Sequence, residues 1–174
     1  EQKFGMRPLA RLKALGLASP QLVAVHMTQV VAEDIDTLAD AGAGVVHCPE
    51  SNLKLGAGVC PLPSLLGRGI RVALGTDGAA SNNDLDVLGE ARTAGLVASG
   101  VTGAPGSVTA ADLLRMATLE GARMLGLGEV TGSRARLTVR LGITGAGLRR
   151  APPATAGEVR IHAAGGPGAR ARRG

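Results

Sequence analysis

Three polar side chains in this 174-residue sequence stand where short apolar runs end. His26 follows Leu22-Val23-Ala24-Val25, His47 follows Gly44-Val45-Val46, and Asp77 follows Val72-Ala73-Leu74-Gly75-Thr76. A carboxylate can bind a borderline cation and take a proton from a metal-bound water. An imidazole beside that water can orient it or polarise the bond under attack. One histidine at the end of a strand is ordinarily a core or loop residue. Two histidines and an aspartate at equivalent places point to a shared site, and the chemistry they suit is metal-assisted hydrolysis. Asp77 equally suits the turn before Gly78, and spacing alone leaves both readings open.

The elements that must position these groups alternate in type. Residues 22–26, 44–47 and 70–75 are short, nearly continuous apolar runs, the pattern of buried parallel strands. Helical spacing precedes the first run at 8–15, with Pro8 near the start where a helix tolerates it. Residues 32–41 form an amphipathic helix, with Ile35, Leu38 and Ala39 on one face and acids in the first turn. Residues 49–58 are rich in Gly, Ser, Asn and Pro and read as a loop, and 63–66 as a short helix. A second polar loop, 76–83, opens a long helix over about 85–98. Thr109 and Asp112 form a capping box before another. Three strands, each followed by a helix, imply parallel pairing and a βα-repeat fold. In a βα barrel the carboxyl ends of the strands are where side chains from different strands converge.

Composition narrows the function classes. Hydrophobic residues make up 45% of the chain and aromatic residues 1%, so the core must be built from aliphatic side chains around a single Phe4. No apolar run approaches the ~20 residues that cross a bilayer, and the opening residues do not read as a signal peptide. The expectation is a cytoplasmic protein with no membrane partner, and the lack of an initiator Met suggests a chain that begins mid-protein. Cys48 and Cys60 match no zinc-finger spacing and read as two reduced thiols. The net charge of +5 is misleading. Residues 134–174 hold nine arginines against Glu158 and contribute +8, which leaves −3 on residues 1–133. Two regions follow: an ordered 1–133, and an Arg/Gly/Ala/Pro-rich tail, 134–174, predicted to be disordered. The abrupt change after Ser133 is what a shifted reading frame of GC-rich DNA would give.

The strings AVHMTQV, VVHCPESNLKLGAG and VALGTDGAASNNDLD resemble the metal-dependent amidohydrolase superfamily, within it the 5-methylthioadenosine/S-adenosylhomocysteine deaminases and the triazine chlorohydrolases. The resemblance runs from about Arg7 to Ser133 and includes ATLEGARMLGLGEVTGS, similar to the helix and turn after the family's barrel. It implies an α/β fold, a partial (β/α)8 TIM-like barrel covering roughly the last three βα units and followed by C-terminal helices. It implies that Asp77 is a metal ligand, general base and substrate contact. His26 would lie beside the attacking hydroxide and the leaving group. His47 would orient the substrate or its loop. Asn52, Ser81 and Asn82 fall in the matching loops, where turn and loop hydrogen bonding is the first reading and pocket shaping the second. The implied cofactor is one divalent ion, zinc first and iron second. The implied substrate is a small purine or triazine ring that is deaminated or dechlorinated, and a homo-oligomeric parent is compatible with the pattern.

The departures are equally informative. The family's His-x-His pair and its later metal-binding His with a downstream Glu would both precede Glu1, so one expected metal ligand in four, Asp77, is present. On that count the chain by itself should be inactive. Two other readings compete. A basic nucleic-acid-binding protein would act through the tail, but the body is acidic and no Trp or Tyr is present to stack on bases. A Cys48–His47 nucleophilic pair is disfavoured because adjacent strand residues point to opposite faces.

Overall fold

The computed structural model describes residues 4–133. The tail 134–174, with its expected disorder, lies outside the described residues. Helix α1 (Pro8–Ala14) leads to strand β1 (Val23–Val25), helix α2 (Ala32–Ala41), strand β2 (Gly44–His47), helices α3 (Pro49–Lys54) and α4 (Leu62–Gly67), and strand β3 (Arg71–Leu74). Helices α5 (Val87–Thr102), α6 (Ala110–Met116) and α7 (Leu119–Met124) follow. The strands pair in parallel in the order β1-β2-β3. Ala24 pairs with Val45 and Val45 with Val72, and one step on Val25 pairs with Val46 and Val46 with Ala73. The protein is therefore α/β, with every strand running towards the edge that carries the three polar groups. Among the described residues no helix is long and apolar enough to cross a membrane.

Side-chain alternation divides the sheet into two unlike faces. The row Ala24–Val45–Val72 is buried, and it packs with Ile35 and Leu38 of α2, Leu62 and Leu65 of α4, and Ala94 and Ala98 of α5. The opposite face is covered at its amino end by α7. A Cβ on Gly44 would collide with Met124 Sδ, so glycine there permits the close approach of that helix. Towards β1 this face is open: Val23 and Val25 are 39% and 44% exposed. The apolar run predicts a strand buried on both sides, but β1 is an edge strand buried on one side.

Local chemistry accounts for several helix ends. In α2, Asp34 Oδ2 accepts from Val31 N at 3.1 Å, and Gly42 adopts φ 65° to close the helix. Arg7 Nε donates to the same carboxylate at 2.8 Å, which fastens the start of α1 to the start of α2. The Thr109–Asp112 capping box forms at the head of α6. Helix α5 begins later than its composition predicts, because Leu85 takes φ 56° and Asp86 Oδ1 caps Leu88 N at 2.9 Å.

One element corrects the sequence reading. The segment read as a loop over 49–58 begins with a helix, α3, which Pro49 starts and Gly56, at φ 62°, follows. Its Ser and Asn are loop formers when their side chains have only local backbone to bond. Here Ser51 and Asn52 are buried and bonded to residues far away in sequence.

Candidate functional site

His26 and Asp77 meet at the carboxyl edge of the sheet. His26 Nε2 lies 3.8 Å from Asp77 Oδ2, and both side chains remain about one-third exposed, at 39% and 35%. Each sits in strained backbone. His26 (φ 72°), its neighbour Met27 (φ 48°) and Asp77 (φ 63°) are three of the four non-glycine residues with positive φ among the described residues. Such conformations cost a non-glycine residue of order 1–3 kcal/mol and cluster at functional sites. Ladder pairing is not lost at His26, whose N–H donates to Val46 O at 2.9 Å.

The Asp77 carboxylate is held from three sides. Ser51 Oγ donates to Oδ2 at 2.7 Å, Ser81 Oγ to the same oxygen at 2.8 Å, and Gly78 N to Oδ1 at 2.8 Å. These donors, Ser51 foremost, hold its pKa at about 2, with a smaller contribution from His26. Asp77 is thus a carboxylate at any physiological pH. The local Gly78 bond is the turn contact expected of an aspartate here. The two serines come from α3 and from the following loop, and a turn-capping aspartate requires neither.

On the other side of the pair, His26 Nδ1 lies 2.9 Å from Asn52 Oδ1. With that oxygen as acceptor, Nδ1 carries the proton and Nε2 faces Asp77. Consecutive residues of α3 therefore serve the two members of the pair, Ser51 the carboxylate and Asn52 the imidazole. A cleft of about 360 Å³ opens beside His26 between α1 and the β1–α2 connection, lined in part by Val25, Met27, Gln29 and Val30.

His47 does not join this pair. It is 2% exposed, and burial first, with the nearby His26 second, lowers its pKa to about 4. Its Nδ1 is buried and has no hydrogen-bond partner among the described residues. Cys48 is also buried, and burial, followed by the charges of Asp77 and Glu90, pushes its thiol up to about 11. A thiol so hard to ionise beside an imidazole so hard to protonate is the reverse of what a nucleophilic Cys–His pair needs.

Sequence patterning does not single out two further residues. Ser51 stands inside a string that reads as loop. Glu90 lies on α5 with no exposure at all, and it accepts from Glu50 N at 3.0 Å and from Asn82 Nδ2 at 2.7 Å. Its signal is its place in the series Glu90, Ala94, Ala98, the i, i+4, i+8 spacing of a buried helix face. Asn82 Oδ1 accepts from Asp84 N and Leu85 N, at 3.1 and 2.7 Å, so this residue shapes its own loop.

A catalytic zinc site needs about three protein ligands. Among the described residues no three His, Cys, Asp or Glu side chains are grouped to hold a metal ion. Asp77 presents one carboxylate, and its donor set does not by itself fit such an ion.

The arrangement is that of an α/β protein with a polar site at the carboxyl ends of parallel strands, where such folds place their ligands. Residues 1–135 match the Amidohydrolase family, and the chain belongs to that family. It is 50% identical to a 5-methylthioadenosine/S-adenosylhomocysteine deaminase of Teredinibacter turnerae over 132 residues, which are 76% of this chain and 30% of that protein. The deaminase of the same name from Moorella thermoacetica is 49% identical over 131 residues, 75% of this chain and 31% of that protein. An adenosine deaminase from Xanthomonas campestris with bound zinc superposes with a TM-score of 0.74 at 52% identity, covering 76% of this chain and 30% of that one. Atrazine chlorohydrolase TrzN from Arthrobacter aurescens TC1, complexed with zinc, gives a TM-score of 0.71 at 34% identity over 75% of this chain and 29% of that one. The chain spans about three tenths of the length of the curated relatives it matches.

Proposed function

We propose that this chain supplies the last three βα units of a (β/α)8 barrel in a hydrolase that removes an amino group, or a comparable leaving group, from a purine or triazine ring. 5-Methylthioadenosine and S-adenosylhomocysteine are the first candidate substrates. The reading is carried by the approach of His26 Nε2 to Asp77 Oδ2, at 3.8 Å, on the edge where barrel enzymes build their sites. The relatives named above supply the substrate class.

In this reading water adds to the ring carbon that bears the amino group. The C–N bond breaks, the nitrogen leaves as ammonia, and the oxygen stays on the ring as a carbonyl, with the water's second proton ending on the adjacent ring nitrogen. Asp77, ionised and anchored by Ser51 and Ser81, takes a proton from the water and passes it to the departing nitrogen. His26 orients the water and the leaving group through Nε2, its ring held by Asn52. His47, buried behind the pair, would orient the substrate through the loop that carries Asn52. The reading includes a divalent cation in the whole protein, zinc before iron, which the zinc-bound relatives support; Asp77 would be one of its ligands, and the ion would make the attacking water more acidic. The nucleic-acid-binding alternative has no support in the fold or the relatives.

The test is ammonia release by the longer protein that carries this segment, offered 5-methylthioadenosine, S-adenosylhomocysteine, adenosine and an amino-triazine in turn. Turnover of at least one of the adenosine-type compounds is expected. A folded, metal-loaded protein that released ammonia from none of these ring substrates would end the reading.

A further inference from the structure

Asp77 and His26 owe their placement to two segments, α3 and the loop after β3, and both segments are held by one buried carboxylate. Glu90 projects from α5 with no exposed surface. Its Oε2 accepts from Glu50 N at 3.0 Å, at the head of α3, where Cys48 supplies no side-chain cap. Its Oε1 accepts from Asn82 Nδ2 at 2.7 Å. The orientation of that amide is dictated by its own loop, because Asn82 Oδ1 already accepts from Asp84 N and Leu85 N. One residue past Glu50 is Ser51, and one residue before Asn82 is Ser81, the two hydroxyls on Asp77 Oδ2. Two residues past Glu50 is Asn52, the partner of His26.

We propose that Glu90 is a positioning residue for the Asp77–His26 pair: its buried carboxylate clamps the first turn of α3 to the 81–85 turn, and thereby sets Ser51, Ser81 and Asn52. A buried carboxylate is costly unless both oxygens are bonded, so its presence here calls for a reason that an apolar core residue would not meet. Space filling alone would be served better by leucine or methionine. The carboxylate instead accepts from two donors that belong to different segments. Glu50, whose N–H it binds, is itself steadied by Thr93 Oγ1 at 2.8 Å, about one helical turn along α5, which reinforces the same junction. The proposal rests on the reading of Asp77 and His26 as the working pair. Its test needs no turnover, so failure of the deaminase assignment and failure of the clamp can be told apart.

The experiment is nitrogen-15 NMR on the full 174-residue chain, following the His26 ring nitrogens and hydrogen exchange at Glu50 N–H. Three proteins are compared: the unaltered chain, Glu90→Gln, and the double variant Glu90→Gln/Asn82→Asp. Glu90→Gln puts an amide N–H against either Asn82 Nδ2 or Glu50 N, and two donors cannot bond. Where that N–H meets Glu50 N, the Glu50 amide should exchange about tenfold faster, the equivalent of one lost hydrogen bond, and in either orientation the His26 ring signals should shift. Asn82→Asp then reverses the polarity. The amide introduced at position 90 donates to the carboxylate introduced at position 82, whose other oxygen still accepts from Asp84 N and Leu85 N. Restoration of the unaltered His26 signals and of slow exchange in the double variant is the expected result. If Glu90→Gln alone unfolds the chain, a folded double variant with restored signals supports the clamp equally. Unchanged His26 signals in Glu90→Gln, or a double variant that stays unfolded or perturbed, would overturn it.

Discussion

The ends of β1 and β2 start from the same pattern and finish differently. In each, a buried aliphatic residue faces the helices, Ala24 in one and Val45 in the other, and a histidine follows two positions on. Regular strand geometry would send both histidines towards the helix layer. His47 obeys, and is sealed at 2% exposure with its pKa lowered to about 4. His26 does not, because its backbone turns to φ 72° and Met27 follows at φ 48°. The ring swings to the sheet edge, where Asn52 holds it and Asp77 lies 3.8 Å away. Residue type and position along the strand are therefore not enough to make a site residue. A local reversal of the backbone, worth about one or two kcal/mol of strain, separates a histidine available for chemistry from one that is part of the core.

If that distinction is right, the two histidines should fail in different assays. His26→Ala should lower turnover of the longer enzyme by about 10²- to 10⁴-fold, the range for disturbing a positioned proton transfer, and leave its thermal midpoint nearly unchanged. Steady-state kinetics beside a melting curve checks both halves. A large stability loss with intact turnover would put His26 with the core instead.

His47 should register chiefly in stability. Its folded pKa, about 4, lies below the ordinary value of 6.5, so between those values the unfolded chain binds more protons than the folded one. Stability from this group is present above pH 6.5 and is lost as the pH falls towards 4, on the order of 3 kcal/mol in all. Urea titrations across that interval should show the decline, and His47→Gln should flatten it. A decline of equal size in the variant would mean that other groups carry it.

The strands that bear the histidines should differ more gently. Val45, on the covered face, has no exposure, so Val45→Thr buries a hydroxyl and should cost about 1–3 kcal/mol. Val25 is 44% exposed on the open face of β1, and Val25→Thr should stay within about 0.5 kcal/mol while reducing any self-association through that edge. Urea midpoints and light scattering at several concentrations distinguish the cases. Equal costs at the two positions would show that the open face is covered in solution.

Much of this is legible in the sequence, for identifiable reasons. Parallel strands announce themselves as apolar runs, and polar residues that end such runs announce an edge, so His26 and Asp77 stand out together with the fold. Helix α3 is hidden because Ser51 and Asn52 favour turns locally, and their bonds to the distant Asp77 and His26 are not visible in the local sequence. Glu90 is hidden because a glutamate on a helix ordinarily faces water, although its i, i+4, i+8 relation to Ala94 and Ala98 marks the buried side. Counting alternate residues from Val45 places His47 in the helix layer, but the same count from Ala24 would place His26 there too. The φ reversal at His26 has no such signature, since it is enforced by contacts rather than by a glycine.

If Asp77 works as an ionised proton acceptor at the strand edge, the turnover number of the longer enzyme carrying Asp77→Asn will show it. The substitution keeps the size of the side chain and removes its charge and basicity. We expect kcat to fall by about a thousandfold or more, in a protein whose folding midpoint stays close to that of the unaltered enzyme. An Asp77→Asn enzyme that retained kcat within about tenfold would contradict the account, because the carboxylate would then be doing no more than holding the turn before Gly78.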